Sequence, residues 1–288
     1  MFFAGCVSPP PPIRLSVNGD GILQIPSERG DVDAEVVVLN DSEKETLSKV
    51  AYSSLDGRKV YALLRVPKIN GKAVSNAPAA VFMPGAGVAK EGGNIGVGKA
   101  LASAGFVVIT IDQRGVGETS GAQKPLQEDF NAYLSGGNVS AHLQVYDYLR
   151  AFDYLRSLAS VDPGRIIFAG ESHGGRIAII AAGVEKRAKG VMVISSAGYG
   201  FAPSLEIDRR KDVFLSSIDP DSYLPLLPPR KIVFLHSSTD NGIPIQLAQR
   251  SFAKAGEPKQ FVLISCPYHG YCNEISGQVG EVAKDIAG

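Results

Sequence analysis

Residues 166–182 read Ile166-Ile167-Phe168-Ala169-Gly170-Glu171-Ser172-His173-Gly174-Gly175-Arg176-Ile177-Ala178-Ile179-Ile180-Ala181-Ala182, and this stretch decides the fold. Its first four residues form a continuous apolar run, which is how a strand buried on both faces reads. From Arg176 onward the pattern is apolar on most faces of a helix, as a helix packed centrally against a sheet must be. Between the two, a G-x-S-x-G pattern sets Ser172 on a sharp strand-to-helix turn. Backbone segments two residues either side of such a serine pass close together. Gly170 and Gly174 lack the β-carbons that would collide there. The turn also puts Ser172 at a helix N-terminus, where free N–H groups and the helix dipole favour developing negative charge. The plain alternative is a Gly-rich turn with a capping serine; the flanking strand and helix favour a nucleophile.

Outward from this turn, near-continuous apolar runs recur at Ala79–Met83, Phe106–Ile111, Arg165–Ala169, Val191–Ser195, Lys231–His236 and Phe261–Ser265. Helical patterns lie between them at Asn94–Ala104, Ser140–Leu158, His173–Glu185 and Pro244–Ala255. Repeated strand–helix units of this kind predict a mostly parallel sheet with helices on both faces. Ahead of them, Leu47–Ser54 and Lys59–Val66 flank the turn dipeptide Asp56-Gly57 and predict a hairpin. Ile13 to Asn40 carries one or two further strands. Residues 119–139 are polar and Gly-rich and read as a surface loop. Residues 198–230 hold several prolines and no strong strand, and read as a small cap over the site.

Val161-Asp162-Pro163-Gly164-Arg165 leads into the strand that precedes Gly-Glu-Ser-His-Gly-Gly at 170–175. Together these segments resemble the α/β-hydrolase superfamily, nearest to its dienelactone-hydrolase, acetyl-xylan-esterase and prolyl-oligopeptidase-like branches. The resemblance runs from about Leu47 to the C-terminal helix. It implies an α/β-hydrolase fold: one domain over 13–288, a mostly parallel central sheet with antiparallel N-terminal strands, and a small cap or none. It also implies a chain order of serine, then acid, then histidine.

Of the four histidines, His236 and His269 lie well downstream of Ser172. His236 is inside a strand run and reads as structural. His269 follows the last strand, at the sheet edge where ligands bind in open α/β folds, and is the expected base. His142 lies in a helix pattern and reads as structural or exposed. Asp240, in the loop after Lys231–His236, is the expected acid that orients His269. The oxyanion hole is expected from the backbone N–H of His173 and from the Pro84-Gly85-Ala86-Gly87 loop, which is similar to the family's His-Gly-x-Gly segment. Ala86 is the expected donor of that loop, and Gly87 the alternative to it. Tyr199, Phe201 and Ile243, near strand ends, are expected to line the substrate pocket. Asp112 and Arg114 read as an ion pair or loop brace.

With these roles the chain is expected to be a serine hydrolase that cleaves carboxyl esters of short or small acyl groups through an acyl-enzyme. No cofactor or metal is implied, and the expected partner is a small-molecule ester. A prolyl-oligopeptidase-like peptidase is the alternative within the enzymes, and a non-catalytic binding protein on the same scaffold is the rival outside them. Composition narrows the field further. The 288 residues are 44% hydrophobic and 20% charged, with 29 basic against 29 acidic side chains. That balance shows neither the basic excess nor the stripe of a nucleic-acid binder.

No apolar run approaches the roughly 18 residues of a membrane span. Residues 1–12 read as a tail. Within it, Ala4-Gly5-Cys6 and the following prolines are similar to a lipoprotein processing site and spacer. Cys6 is therefore either a lipid anchor that places the chain outside the cytoplasm, or a chance cysteine on a cytoplasmic protein. Cys266 and Cys272 flank His269. In an oxidising compartment they would close a small ring that stiffens the loop of His269; free thiols are the favoured expectation, because spacing alone does not establish disulfide geometry. Oligomeric state is not legible.

Overall fold

The computed structural model describes residues 13–201 and 208–288; the tail call on 1–12, with Cys6, lies outside them. The strands in chain order are β1 (Ser16–Val17), β2 (Leu23–Gln24), β3 (Ala34–Asp41), β4 (Glu45–Ser53), β5 (Lys59–Ile69), β6 (Lys72–Ala73), β7 (Ala77–Met83), β8 (Val107–Ile111), β9 (Val161–Glu171), β10 (Gly190–Ile194), β11 (Lys231–Ser237) and β12 (Lys259–Ile264). The helices are α1 (Lys90–Gly93), α2 (Lys99–Ser103), α3 (Leu126–Leu134), α4 (Ser140–Ser157), α5 (His173–Val184), α6 (Arg209–Ile218), α7 (Ile245–Lys254) and α8 (Ser276–Ala287). The small pair β1–β2 stands apart. A ten-stranded sheet runs β12-β11-β10-β9-β7-β8-β5-β4-β3, with β6 beside β5. β3, β4, β5 and β8 pair antiparallel in succession. From β8 through β7, β9, β10 and β11 to β12 every pairing is parallel. This is the α/β-hydrolase arrangement that the sequence predicts.

Period-two alternation along the parallel strands divides the core into two layers. Val81, Ile166, Phe168, Val193 and Phe234 face α4 and α5 on one side of the sheet. Phe82, Ile167, Ala169, Met192 and Leu235 face α2 and α8 on the other. Burial of each such aliphatic or aromatic side chain is worth about 1.5–3 kcal/mol relative to exposure. The central strands are apolar on both faces apart from Thr110 and strand ends such as His236 and Ser237 of β11, which is why they read as near-continuous apolar runs. Tyr148 of α4 also pins the two strands nearest the elbow. Its hydroxyl accepts the Ala169 N–H at 3.0 Å and donates toward Val81 O at 2.6 Å.

The structure corrects three boundaries. The helix expected over Asn94–Ala104 begins earlier, at Lys90, and is interrupted by a π-type segment, Asn94–Gly98, with Gly96 outside helical angles. Its early start follows from Asp112, whose Oδ1 accepts the Lys90 N–H at 2.7 Å. Residues 119–139 are not all loop: they contain α3, whose Phe130 and Tyr133 pack against Phe214 of α6 at ring distances of 5.3 and 5.5 Å. The apolar contact is sparse in sequence, so the polar outer face hides the helix. The region over 198–230 contains α6, capped by Asp208, which accepts the Arg210 N–H. Pro220 follows the helix end, as a residue that cannot continue it. Among the described residues no helix is long and apolar enough to cross a membrane.

Candidate active site

β9 ends at Glu171 and α5 begins at His173, so Ser172 is the whole turn between them. It holds φ 51° and ψ −114°, a left-handed conformation that side chains rarely adopt. The turn is clamped on all sides. Ser172 N–H donates to Ile194 O at 2.9 Å, and Ser196 Oγ donates to Ser172 O at 2.8 Å. A β-carbon on Gly170 would strike the Gly174 carbonyl, and one on Gly174 would strike the Met83 carbonyl. The glycines are where the sequence reading requires them, and for that reason.

His269 and Asp240 come together from the loops after β12 and β11. Nδ1 of His269 lies 2.8 Å from Asp240 Oδ1 and 3.0 Å from Oδ2. Nδ1 therefore carries the proton, which leaves Nε2 as the basic lone pair. Asp240 is buried, and burial alone would raise its pKa. The Ile243 N–H, the Ser195 hydroxyl, His269 and the Gly242 N–H outweigh burial and hold the carboxyl below its ordinary value. The acid thus stays ionised. Ser172 Oγ makes no hydrogen bond to another described residue, and Ser–His contacts in ligand-free sites are commonly loose.

The loop that carries His269 is closed by a bond between Cys266 and Cys272, whose Cα atoms stand 5.7 Å apart. This overturns the expectation of free thiols. Gly270, at φ 94°, turns the chain back so that Cys272 returns to the end of β12. Ser237 Oγ and Thr239 Oγ1 both donate to Cys266 O, at 2.7 and 3.1 Å, and so tie the acid's loop to the base's ring.

The Pro84–Gly87 loop runs beside Ser172, where a β-carbon on Gly85 would lie 3.5 Å from the Ser172 Cβ. Ala86 and Gly87 are exposed, and their N–H groups take no partner among the described residues. The His173 N–H likewise opens the first turn of α5. Gln113 holds the loop from behind, its Nε2 donating to Pro84 O at 3.0 Å and Gly85 O at 2.5 Å. Lys90, fully buried at the loop's exit, pairs with Asp112, Glu118 and Glu91 at 2.8–2.9 Å. Arg114 binds Asp147, Asp56 and Ser54 instead of Asp112. The pair expected between Asp112 and Arg114 is therefore two separate braces, because the two side chains leave the strand end toward different elements.

Other expected residues are placed as follows. Tyr199 and Phe201 stack at 5.2 Å and line a cavity of about 300 Å³ with His173 and Arg176. Ile243 is buried against Ala197 and Ala248 and does not line that cavity; its backbone N–H serves Asp240 at 2.8 Å. His236 lies inside β11, donates from Nε2 to Ile243 O at 2.8 Å, and is held neutral chiefly by burial. His142 is buried against Ser217. Among the described residues no cluster of three or more His, Cys, Asp or Glu is placed to hold a metal ion.

Sequence reasoning missed Ser195 and Glu171. Ser195 shares the strained turn geometry, at φ 50°, and its Oγ accepts the Gly270 N–H at 3.1 Å. Its signal was a serine pair at the carboxyl end of a buried strand. Glu171 precedes Ser172, and its carboxyl lies against Gly270, where a β-carbon would strike Oε1. Burial raises its pKa, opposed by the nearby His269 and the Tyr271 N–H.

Comparison with known proteins bears on the family and the fold. The family described as acetyl xylan esterase (AXE1) matches residues 31–209, a span that holds Ser172 and the Pro84–Gly87 loop but ends before Asp240 and His269. An uncharacterized protein, YfhR, of Escherichia coli O157:H7 is 24% identical over 185 residues, covering 62% of this chain and 58% of that protein. A thiohydrolase, aneE, of Aspergillus aculeatus is 30% identical over 152 residues, covering 53% of this chain and 42% of the relative. The chain thus spans about half the length of these curated relatives. The solved acetyl xylan esterase from Paenibacillus sp. R4 superposes with a TM-score of 0.74 at 19% identity, covering 90% of both chains. At that identity the likeness establishes the fold.

Proposed function

Because this chain belongs to the acetyl xylan esterase (AXE1) family, we propose that it is a carboxylesterase that works through a Ser172 acyl-enzyme. The observation that carries the reading is the His269–Asp240 pair, bonded at 2.8 Å at the same end of the parallel strands as a serine strained onto a strand-to-helix turn. His269 Nε2 takes the Ser172 proton as Oγ attacks the ester carbonyl. The resulting oxyanion is received by the His173 N–H and by the Ala86 N–H, with Gly87 as the alternative donor of that loop. Each such donor is worth about 3–4 kcal/mol in the transition state. His269, now an imidazolium, is stabilised by Asp240 and returns the proton to the departing alcohol. Water activated by the same histidine then releases the acid.

The substrates are small acyl esters, acetate first, in keeping with the family and with a segment over 198–230 whose described residues hold one ten-residue helix and short turns. A fluorophosphonate probe tests the nucleophile without assuming a substrate. Peptide mapping should place the adduct on Ser172, and Ser172→Ala should abolish labelling. An adduct on any other serine would contradict the assignment.

A further inference from the structure

The wall of the 300 Å³ cavity begins at His173, one residue beyond Ser172, and lies between α4 and α5 on one side and α6 with the Tyr199–Phe201 segment on the other. Most of its surface is apolar, from Val145, Ile177, Ile180, Phe201 and Ile218. One turn past Ser172, α5 also carries Arg176 into this wall. Its guanidinium lies 4.1 Å from the Tyr199 ring centroid, and Nε donates to Ala197 O at 2.8 Å. No carboxylate among the described residues lies within ion-pair reach of it.

The imidazoles and the carboxylate of the cavity are already satisfied. His142 Nε2 bonds Ser217 Oγ at 2.8 Å, and His173 Nε2 bonds Gln144 Oε1 at 3.0 Å. Burial lowers both imidazoles to about 4, with Arg176 adding to the effect at His173, so neither carries charge at neutral pH. Asp129 spends both oxygens on Ser140 and Ala141 at the start of α4. Lys124 is the remaining charge, and it is cationic. A guanidinium has five N–H donors, and Arg176 uses one within the protein. Its planar fork, fixed by stacking on Tyr199, suits a carboxylate.

We propose that this cavity receives a carboxylate carried on an apolar body, with Arg176 as the residue that pairs with it. The inference rests on the esterase reading and specifies its substrate class: esters that bear a free carboxylate away from the scissile bond.

The test reads binding rather than turnover. Calorimetric titration of the wild type with 4-phenylbutyrate and with 4-phenylbutyramide compares a charged and a neutral head on the same body. The carboxylate should bind roughly tenfold tighter or more, and its advantage should shrink as salt is raised. Arg176→Met should remove the preference, and Arg176→Lys should keep part of it. Equal binding of acid and amide by the wild type would overturn the proposal, as would a preference unchanged in Arg176→Met. If Arg176→Met does not fold, the salt dependence in the wild type decides. A protein that shows the preference but hydrolyses no ester would sink the esterase reading alone. An active esterase with no preference would sink this inference alone.

Discussion

Gly242 and His269 are packed so closely that a β-carbon on Gly242 would stand 2.6 Å from the imidazole Cγ. The same glycine donates its N–H to Asp240 Oδ1 at 2.9 Å, so one residue sets both the height of the base and the direction of the acid. Gly242→Ala must displace the ring. A displacement of about an ångström in a reacting group costs on the order of 10²-fold. We expect kcat/KM to fall by about that factor while substrate affinity, read from a dissociation constant, changes little. A Gly242→Ala enzyme with unaltered kcat/KM would show that His269 does no chemistry.

Asp240 is expected to act through its charge and its grip on Nδ1. Asp240→Asn keeps the shape but favours the wrong imidazole tautomer, a change worth about 10⁴-fold in kcat in comparable sites. Ser195→Ala, which removes one of the groups that hold Asp240 ionised, should give a much smaller loss. Steady-state kinetics on one ester ranks the two. Equal losses would mean that Ser195, not Asp240, sets the base.

Glu171 gives a pH signature. Burial raises its pKa in the folded protein above the ordinary 4.5, so the native state holds this proton more tightly than the unfolded chain. The contribution to stability is therefore largest below the unfolded value and falls as pH rises through the folded one. Glu171→Gln mimics the protonated form. Its melting temperature should exceed that of the wild type at pH 7, and the gap should close as pH drops below the ordinary carboxyl value. A variant less stable than wild type at pH 7 would show that the charged carboxylate is the favoured form there.

The bond between Cys266 and Cys272 predicts a simple labelling result. Of the three cysteines, Cys266 and Cys272 should be silent to a thiol reagent in denaturant without reductant, and both should react after reduction. Opening so small a ring should lower stability by about 2 kcal/mol on a chain-entropy argument. Activity should fall as well, because the ring carries His269. Reaction of Cys266 and Cys272 before reduction would disprove the bond.

The legible part of this protein is the part written in contiguous sequence. The turn at Ser172 announces itself through the strand run before it, the helix after it and the two glycines that relieve its collisions. Asp240 and His269 could be chosen because each follows an apolar strand run and few alternatives exist at those sheet edges. What stayed hidden depends on contacts between distant segments. Gln113 supports Pro84 and Gly85 across 29 and 28 residues, and Ser195 meets Gly270 across 75. Helix α3 was masked because only one narrow face is apolar, packed on Phe214. The pairing of the two cysteines depends on the left-handed turn at Gly270, which spacing does not reveal. Ile243 looked like a pocket residue because it is apolar and near a strand end, yet the structure uses its backbone.

The most direct test of the central claim is hydrolysis of p-nitrophenyl acetate by the wild type and by Ser172→Ala, with folding of both confirmed by their melting curves. The account predicts steady turnover by the wild type and a loss in the variant on the order of 10⁶-fold in kcat, as when the nucleophile of a comparable triad is removed. Equal rates in the two proteins would contradict it.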